Sequence, residues 1–157
     1  MKLYLVQHGK AKKKDESPDR PLNGEGKNAS KKTACFAAEQ AHISVNAVLH
    51  SGKTRARDTA EIMAAYLCPV KGMIEEKDLL PNDDPQEWAS RLSGEKEDIM
   101  LVEHLPQLSK LASLLLAGSD EKFSIDFKNS GIVCLQRDDS SNWMLSWAVT
   151  PEILGKQ

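Results

Sequence analysis

Two histidines and one arginine of this chain stand close to the ends of short apolar segments. His8 follows the run LYLV and Gln7, and His104 follows IMLVE. Arg55 lies four residues after Ser51, which directly follows the segment VNAVLH. An imidazole nitrogen can attack phosphorus, and a guanidinium group can bind two phosphoryl oxygens at once. The combination predicts phosphoryl transfer, whereas each residue taken alone is explained equally well by a structural or surface role.

Strands and helices that alternate along the chain would bring these residues together. Continuous apolar runs predict strands at residues 2–6, 45–50 and 98–104. Each run is followed by apolar residues at helical spacing: after Asn23 as an N-cap, over residues 53–67, and in LPQLSKLASLLLAG. The segments GIVCLQR and NWMLSWAV, on either side of the turn DDSSN, predict a terminal hairpin that joins the same sheet.

One part of this pattern is less regular. Between residues 69 and 97, prolines at 69, 81 and 85 interrupt the chain, and only residues 84–92 predict a short helix. In the first helix, we expect the buried face to consist of residues 29, 33, 36, 37, 40 and 41.

The order of the elements predicts an α/β fold in three layers, with a mostly parallel central sheet and helices on both of its faces. In such sheets the ligand crevice lies beyond the carboxyl ends of the strands. His8, Ser51 and His104 all stand at such ends. The sequence therefore places a candidate site at this edge of the sheet.

Length, charge and cysteine content narrow the class of protein. The 157 residues predict one domain over residues 1–157, and the formal net charge of -2 gives no overall attraction to nucleic acid. Cys35, Cys68 and Cys134 form no CxxC pair, which predicts free thiols and no zinc site. No apolar run suits a signal peptide or a membrane span. We therefore expect a cytoplasmic protein with no metal, no cofactor, no nucleic-acid partner and no membrane partner.

Four motifs occur in order along nearly the whole chain: LVQHG, RPLNGEG (20–26), HSGKTRARDTAEIM (50–63) and VEHLPQL (102–108). This set resembles the histidine phosphatase superfamily, and within it the small phosphohistidine phosphatases of the SixA type. The resemblance implies a phosphoglycerate mutase-like version of the predicted three-layer fold.

The same resemblance implies roles for individual residues. His8 would be the nucleophile that becomes transiently phosphorylated, and Arg55 would bind the phosphoryl oxygens. His104 would stabilise the transferring group, and Arg20 of the motif RPL would reach the same pocket. Water would then hydrolyse phospho-His8.

The opening motif departs from the superfamily pattern. The signature of the superfamily reads Arg-His-Gly, whereas this chain has Gln7, His8 and Gly9. A glutamine amide still donates hydrogen bonds, but charge-assisted bonds contribute about 1 kcal/mol more than neutral ones. We expect Gln7, Gly9 and Ser51 to contact the phosphoryl group, with its charge balanced by arginine side chains.

Leaving-group chemistry suggests a substrate. An alcohol needs a general acid, and the candidates are Asp83 and Asp84, which are equally well explained as a turn former and a helix cap. Phosphohistidine, by contrast, releases an imidazole, for which a weak acid suffices. The resemblance therefore predicts a phosphohistidine phosphatase whose partner is a phosphorylated protein, such as a histidine-containing phosphocarrier or phosphotransfer domain.

Two other functions stay open from the sequence. One is a phosphomonoesterase that acts on small phosphorylated metabolites or on phosphoserine or phosphothreonine. The other is a non-catalytic module that binds phosphohistidine, although binding alone does not require two histidines such as His8 and His104. The lysines at positions 10, 12, 13 and 14 are explained either by attraction of an acidic partner or by a solvated loop.

Overall fold

The computed structural model describes residues 1–122 and 125–155 of the chain. In chain order its elements are β1 (Lys2–Gln7), α1 (Gly24–Glu39), β2 (Ala47–His50), α2 (Thr54–Leu67), β3 (Met73–Glu75), α3 (Pro85–Gly94), β4 (Ile99–Glu103), α4 (Gln107–Ala117), β5 (Ile132–Arg137) and β6 (Trp143–Val149). A short 3-10 helix, Pro151–Leu154, follows β6. Across these described ranges, no helix has both the length and the apolar character needed to cross a membrane.

The strands form one sheet in the order β3-β2-β4-β1-β5-β6. The first four strands are mutually parallel, β5 runs antiparallel to β1, and β6 runs antiparallel to β5. The predicted mostly parallel sheet and the terminal hairpin are therefore confirmed. Strand β3 was missing from the sequence prediction, because its three residues are largely exposed and carry no apolar run. It forms by backbone pairing with β2 at the edge of the sheet.

Two hydrophobic clusters, one on each face of the sheet, hold the three layers together. Helices α1 and α2 cover the face that carries Tyr4, Val6 and Val102. Helices α3 and α4 cover the face that carries Leu3, Leu5, Leu101 and their neighbours. Because side chains alternate along a strand, each central strand contributes to both clusters. The predicted three-layer arrangement is confirmed.

Helix α1 begins where the sequence predicts, but it buries a different face. Asn23 is the N-cap, and its side chain accepts the N–H of Gly26 at 2.8 Å. The buried residues are Gly26, Ser30, Thr33, Ala34 and Ala37. The predicted face shares only positions 33 and 37 with this set. The prediction followed apolar content, whereas the helix packs closely on the chain after β1 through small residues: a Cβ on Gly26 would stand 2.1 Å from the carbonyl oxygen of Lys10.

Candidate active site

The carboxyl ends of β1, β2 and β4 lie side by side and bring the predicted residues together. The rings of His8 and His104 lie with their centroids 5.0 Å apart. Arg55, in the first turn of α2, donates a hydrogen bond from Nε to His8 Nε2 at 3.3 Å. Ser51 Oγ lies 2.6 Å from His104 Nε2. Side chains from three separate segments of the chain therefore form one cluster at the edge of the sheet.

The hydrogen bonds of His8 determine which of its ring nitrogens carries the proton. Nδ1 lies 2.8 Å from the carbonyl oxygen of Gly9, which can only accept. Nδ1 is therefore the protonated nitrogen, and Nε2 keeps its lone pair. That lone pair points to the side on which Arg55 donates. The ring thus places a nitrogen lone pair beside a guanidinium group, which is the arrangement that attack on phosphorus requires.

Both histidines are held in the neutral form. Burial, with a further contribution from the cations Arg55 and Arg20, lowers the pKa of His8 to about 4. Burial, together with His8 and the cations Arg55 and Lys53, lowers the pKa of His104 to about 3. A neutral imidazole is the form that can attack phosphorus, so the environment of His8 keeps it ready to react at neutral pH.

These pKa shifts predict an NMR titration. The Nε2 resonance of His8 should report a neutral ring from pH 8 down to about pH 5, with protonation centred near pH 4 in place of the usual value of about 6.5. A His8 ring that titrates near the usual value of about 6.5 would contradict this burial and charge environment.

Arg20 stands beside Arg55. Its Nε donates to the carbonyl oxygen of Lys12 at 3.2 Å, which anchors the side chain on its own loop. The charge of Arg20 contributes to the lowered pKa of Arg55, after the larger effect of burial. Both arginines line a cavity of about 450 Å³ next to the cluster. The structure therefore brings Arg20 to the region where the resemblance places it.

Gly9 has a different role from the predicted phosphate contact. Its backbone N–H donates to Thr59 Oγ1 at 2.9 Å, so this group is already occupied. A Cβ at this position would stand 2.8 Å from Ser30 Oγ and 3.0 Å from Ser130 Oγ. Gly9 is therefore required for close packing of the chain after β1, and its contact with the phosphoryl group stays a prediction.

Three residues that sequence reasoning did not assign to the site hold the end of β1 in place. Thr59 accepts from Gly9, as described, and donates to the carbonyl oxygen of Arg55 at 2.8 Å. Asn129 donates from Nδ2 to the carbonyl oxygen of His8 at 2.7 Å, and Ser130 N donates to the carbonyl oxygen of Gln7 at 2.9 Å. Asn129 and Ser130 lie in a loop more than a hundred residues along the chain, and no pattern in the sequence marks them.

Gln7 is the last residue of β1 and is only partly buried. Its Oε1 atom is nevertheless buried, without a hydrogen-bond partner among the described residues. The amide oxygen thus points into the protein next to the site. The carboxylic side chain of Glu103, its register partner on β4, is fully buried nearby.

The two candidate general acids have structural roles. Asp84 is exposed and caps α3, where its Oδ1 accepts the N–H of Gln86 at 2.9 Å. Asp83 Oδ2 accepts the N–H of Leu80 at 2.7 Å. A role of either residue as general acid stays a prediction. Asp83 also lines a cavity of about 530 Å³ that includes Ser51.

Cations provide the ligand-binding charge of this site. The same edge of the sheet carries Arg55, Arg20 and Lys53. Within residues 1–122 and 125–155, no group of three or more His, Cys, Asp or Glu side chains is placed to hold a metal ion. A dianionic phosphoryl group fits this set of donors.

Comparison with known proteins agrees with this chemistry. Residues 3–79 match the family model of the histidine phosphatase superfamily (branch 1). No curated protein sequence matches the chain at a significant level.

Solved structures extend the likeness over the whole chain. The structure of the protein histidine phosphatase SixA complexed with tungstate is 25% identical, with a TM-score of 0.86 over 99% of this chain and 100% of that chain. The putative phosphohistidine phosphatase SixA from Agrobacterium tumefaciens is 23% identical, with a TM-score of 0.78 over 96% of this chain and 97% of that chain. A putative alpha-ribazole-5'-P phosphatase from Escherichia coli is 15% identical, with a TM-score of 0.77 over 96% of this chain and 98% of that chain.

The latter two likenesses establish the fold alone, whereas the family match and the SixA structure with tungstate also carry the resemblance seen in the motifs. The chain therefore belongs to the histidine phosphatase superfamily and is a phosphatase of that type.

Proposed function

We propose that this phosphatase removes phosphate from phosphohistidine on a protein, through a phospho-His8 intermediate. The observation that carries the proposal is the orientation of His8, whose Nδ1 proton is donated to Gly9 and whose Nε2 lone pair stands beside Arg55. The structure of the protein histidine phosphatase SixA with tungstate, which matches nearly the full length of this chain, supports the choice of phosphohistidine as substrate.

The reaction proceeds in two displacements. His8 Nε2 attacks phosphorus while the P–N bond of the substrate breaks, and the departing imidazole takes a proton from solvent. Arg55 and Arg20 bind the equatorial oxygens and balance their charge, and His104 stands on the other side of the transferring group. Water then attacks phospho-His8, which releases inorganic phosphate and restores the free Nε2.

Ser51 prepares His104 for this step. Its hydroxyl lies 2.6 Å from His104 Nε2, and both side chains are almost completely buried. In the free protein this contact fixes the imidazole plane at the end of β4. We therefore assign Ser51 a positioning role, alongside the phosphate contact that the sequence predicts.

A basic cavity beside the nucleophile supports a protein as the substrate. As far as the described residues go, its lining combines the cations Lys14, Arg20, Lys53 and Arg55 with a single acidic side chain, Asp19. At about 450 Å³, it is larger than one phosphoryl group requires. Acidic side chains that flank the phosphohistidine of a partner would complement it.

A docking role for the basic cavity predicts different effects for two lysines of one loop. Lys14→Gln should raise KM for a phosphohistidine protein about threefold at low salt, because Lys14 lines the basic cavity, and the effect should fade at high salt. Lys10→Gln is the matched control, because Lys10 pairs with Glu25. Steady-state phosphate release at two ionic strengths measures both variants. Equal effects of the two substitutions would contradict a docking role for the cavity.

One observation favours a second candidate, a phosphomonoesterase that acts on small alcohol esters. Asp83 lines the cavity that includes Ser51, so it lies where a general acid for an alcohol could act. The hydrogen bond from Leu80 N to Asp83 Oδ2 argues against that role.

Asp83→Asn separates the two candidates. With phosphohistidine as substrate, we expect turnover within about threefold of the parent, because imidazole leaves without strong acid assistance. A phosphomonoesterase that depends on Asp83 would instead lose about 10²-fold or more on a sugar phosphate, whose alcohol needs a general acid to leave. Asp84→Asn is the matched control, because it makes the same chemical change at the N-cap of α3, where the asparagine oxygen can still accept the N–H of Gln86.

A substrate panel tests the proposed function itself. The parent protein would be assayed at equal concentrations of a phosphohistidine protein, phosphoramidate, a sugar phosphate and a phosphoserine peptide. We expect kcat/KM to be highest for the phosphohistidine protein. Preference for the sugar phosphate or the phosphoserine peptide would overturn the proposal in favour of the phosphomonoesterase.

A further inference from the structure

Unpartnered buried polar atoms are concentrated beneath the proposed phosphoryl site. Within the ranges that the structure describes, the buried side-chain atoms without a hydrogen-bond partner are Gln7 Oε1, Glu103 Oε1 and Oε2, His104 Nδ1 and Gln107 Oε1. They belong to the ends of β1 and β4 and to the start of α4. A buried polar group without a partner is costly, so this concentration calls for a physical explanation.

Gln7 and Glu103 face each other across two neighbouring strands. They are register partners in the parallel pairing of β1 with β4, where strands lie about 5 Å apart. Leu5 and Leu101, two residues earlier on each strand, both belong to the cluster under α3 and α4. Because side chains alternate, Gln7 and Glu103 point to that same face, side by side. The next residue after each of them is a histidine of the site.

Burial favours the neutral form of the Glu103 carboxyl group. Its side chain is 0% exposed, and burial raises its pKa well above the usual range. The ion pairs found among the described residues do not include it. A protonated carboxyl has one O–H to donate, and Gln7 Oε1 is a buried acceptor on the adjoining strand without another donor.

We infer that Glu103 is a positioning residue: its carboxyl O–H donates to Gln7 Oε1 and so directs the Gln7 amide N–H₂ toward the phosphoryl group at His8. This inference rests on the phosphoryl site proposed above. Since the two amide atoms of a glutamine point in opposite directions, fixing Oε1 inside the protein leaves Nε2 facing outward at the end of β1. Glu103 thereby orders the Gln7 amide as a hydrogen-bond donor to the phosphoryl group, at a position where the side chain carries no charge.

The pair also predicts that an arginine at position 7 of this chain would bind Glu103 in place of the phosphoryl group. A guanidinium group beside Glu103 would favour the ionised carboxylate and form a buried ion pair with it. The cation would then be held by the protein and kept from the phosphoryl oxygens. Gln7 and Glu103 are therefore a matched pair, and removing the donor at position 103 or the amide at position 7 should lose the contribution of both.

Direct binding of inorganic phosphate, measured by calorimetry at pH 7, tests the inference. Glu103→Met removes the donor at similar volume and should weaken phosphate binding about fivefold, the scale of one ordered hydrogen bond. Glu103→Gln keeps an N–H donor and should restore binding to within about twofold of the parent. In a Gln7→Leu background, Glu103→Met should have no further effect, because the residue that it orders is gone.

Three results would overturn the inference. These are unchanged phosphate binding in folded Glu103→Met, failure of Glu103→Gln to restore it, and a loss of the same size in the Gln7→Leu background. The last result would point to Gln107 Oε1 as the acceptor. A thermal melt of each variant confirms that the protein is folded. If Glu103 had only a structural role, the melting temperature would change, but Glu103→Met and Glu103→Gln would bind phosphate with the same affinity.

A second set of variants, measured in the same phosphate-binding assay, places an arginine at position 7 through Gln7→Arg. Gln7→Arg alone should tighten phosphate binding by less than about twofold, because Glu103 takes up the new charge. Gln7→Arg with Glu103→Gln should tighten it about tenfold, as expected for one added charge-assisted contact. A tenfold gain from Gln7→Arg alone would overturn the inference.

Measuring phosphate binding and phosphohistidine turnover separately distinguishes failure of the inference from failure of the proposed function. Phosphate binding without turnover of phosphohistidine would overturn the proposed function and leave the inference standing. Absence of phosphate binding by the parent protein would overturn both.

Discussion

His8→Asn should abolish phosphatase activity, with a loss in kcat of at least about 10³-fold, because the side chain that attacks phosphorus is removed. The fold should remain, since His8 lies at a strand end, is only partly exposed, and leaves no large cavity when shortened. Release of inorganic phosphate from phosphoramidate measures the activity, and circular dichroism measures the fold.

His42→Asn is the matched control for this substitution. His42 is an exposed histidine that lies outside the cluster of His8, Arg55, Ser51 and His104, so the same chemical change should leave activity within about twofold. Activity of the His8 variant equal to that of the His42 variant would show that another residue attacks the substrate.

Arg55→Ala should cost about 10²- to 10³-fold in kcat/KM, the scale found when one preorganised donor to a developing oxyanion is removed. Arg55 touches the proposed nucleophile directly, through the hydrogen bond from its Nε to His8 Nε2. Its loss should also raise the pKa of His8, because a nearby cation is one cause of the lowered value. Steady-state kinetics measures the first effect, and the histidine NMR titration measures the second.

Arg57 is the matched control for Arg55, since it lies two residues later on the same helix and is exposed. Arg57→Ala should change kcat/KM by less than about twofold. Comparable losses for Arg55→Ala and Arg57→Ala would indicate that the basic character of α2, and no specific contact, supports the reaction.

The sequence predicted the fold and the cluster because both depend on continuous patterns. Apolar runs marked β1, β2 and β4, and the topology of parallel sheets brought His8, Ser51 and His104 to one edge. Helix α1 begins at the predicted cap, since Asn23 has the side chain that this position requires.

Other features depend on packing that a linear pattern does not encode. Strand β3 exists through pairing with β2, and Asn129 reaches His8 from a loop 121 positions away. Glu103 reads as part of an apolar strand, and its relation to Gln7 follows only from the register of β1 with β4. Gly9 reads as part of a catalytic motif, whereas its lack of a side chain is needed for packing against Ser30 and Ser130.

The most direct test of the proposed mechanism is to trap the phosphoenzyme and locate its phosphoryl group on the His8 ring. The parent protein, quenched in alkali within milliseconds of mixing with radiolabelled phosphohistidine protein, should carry an acid-labile label at Nε2 of His8. Nδ1 is excluded as the nucleophile because its proton is donated to the Gly9 carbonyl oxygen. Label at Nε2 of His8 is the result that the proposed mechanism predicts. Label at Nδ1, label on another residue, or phosphate release without any labelled protein would contradict it.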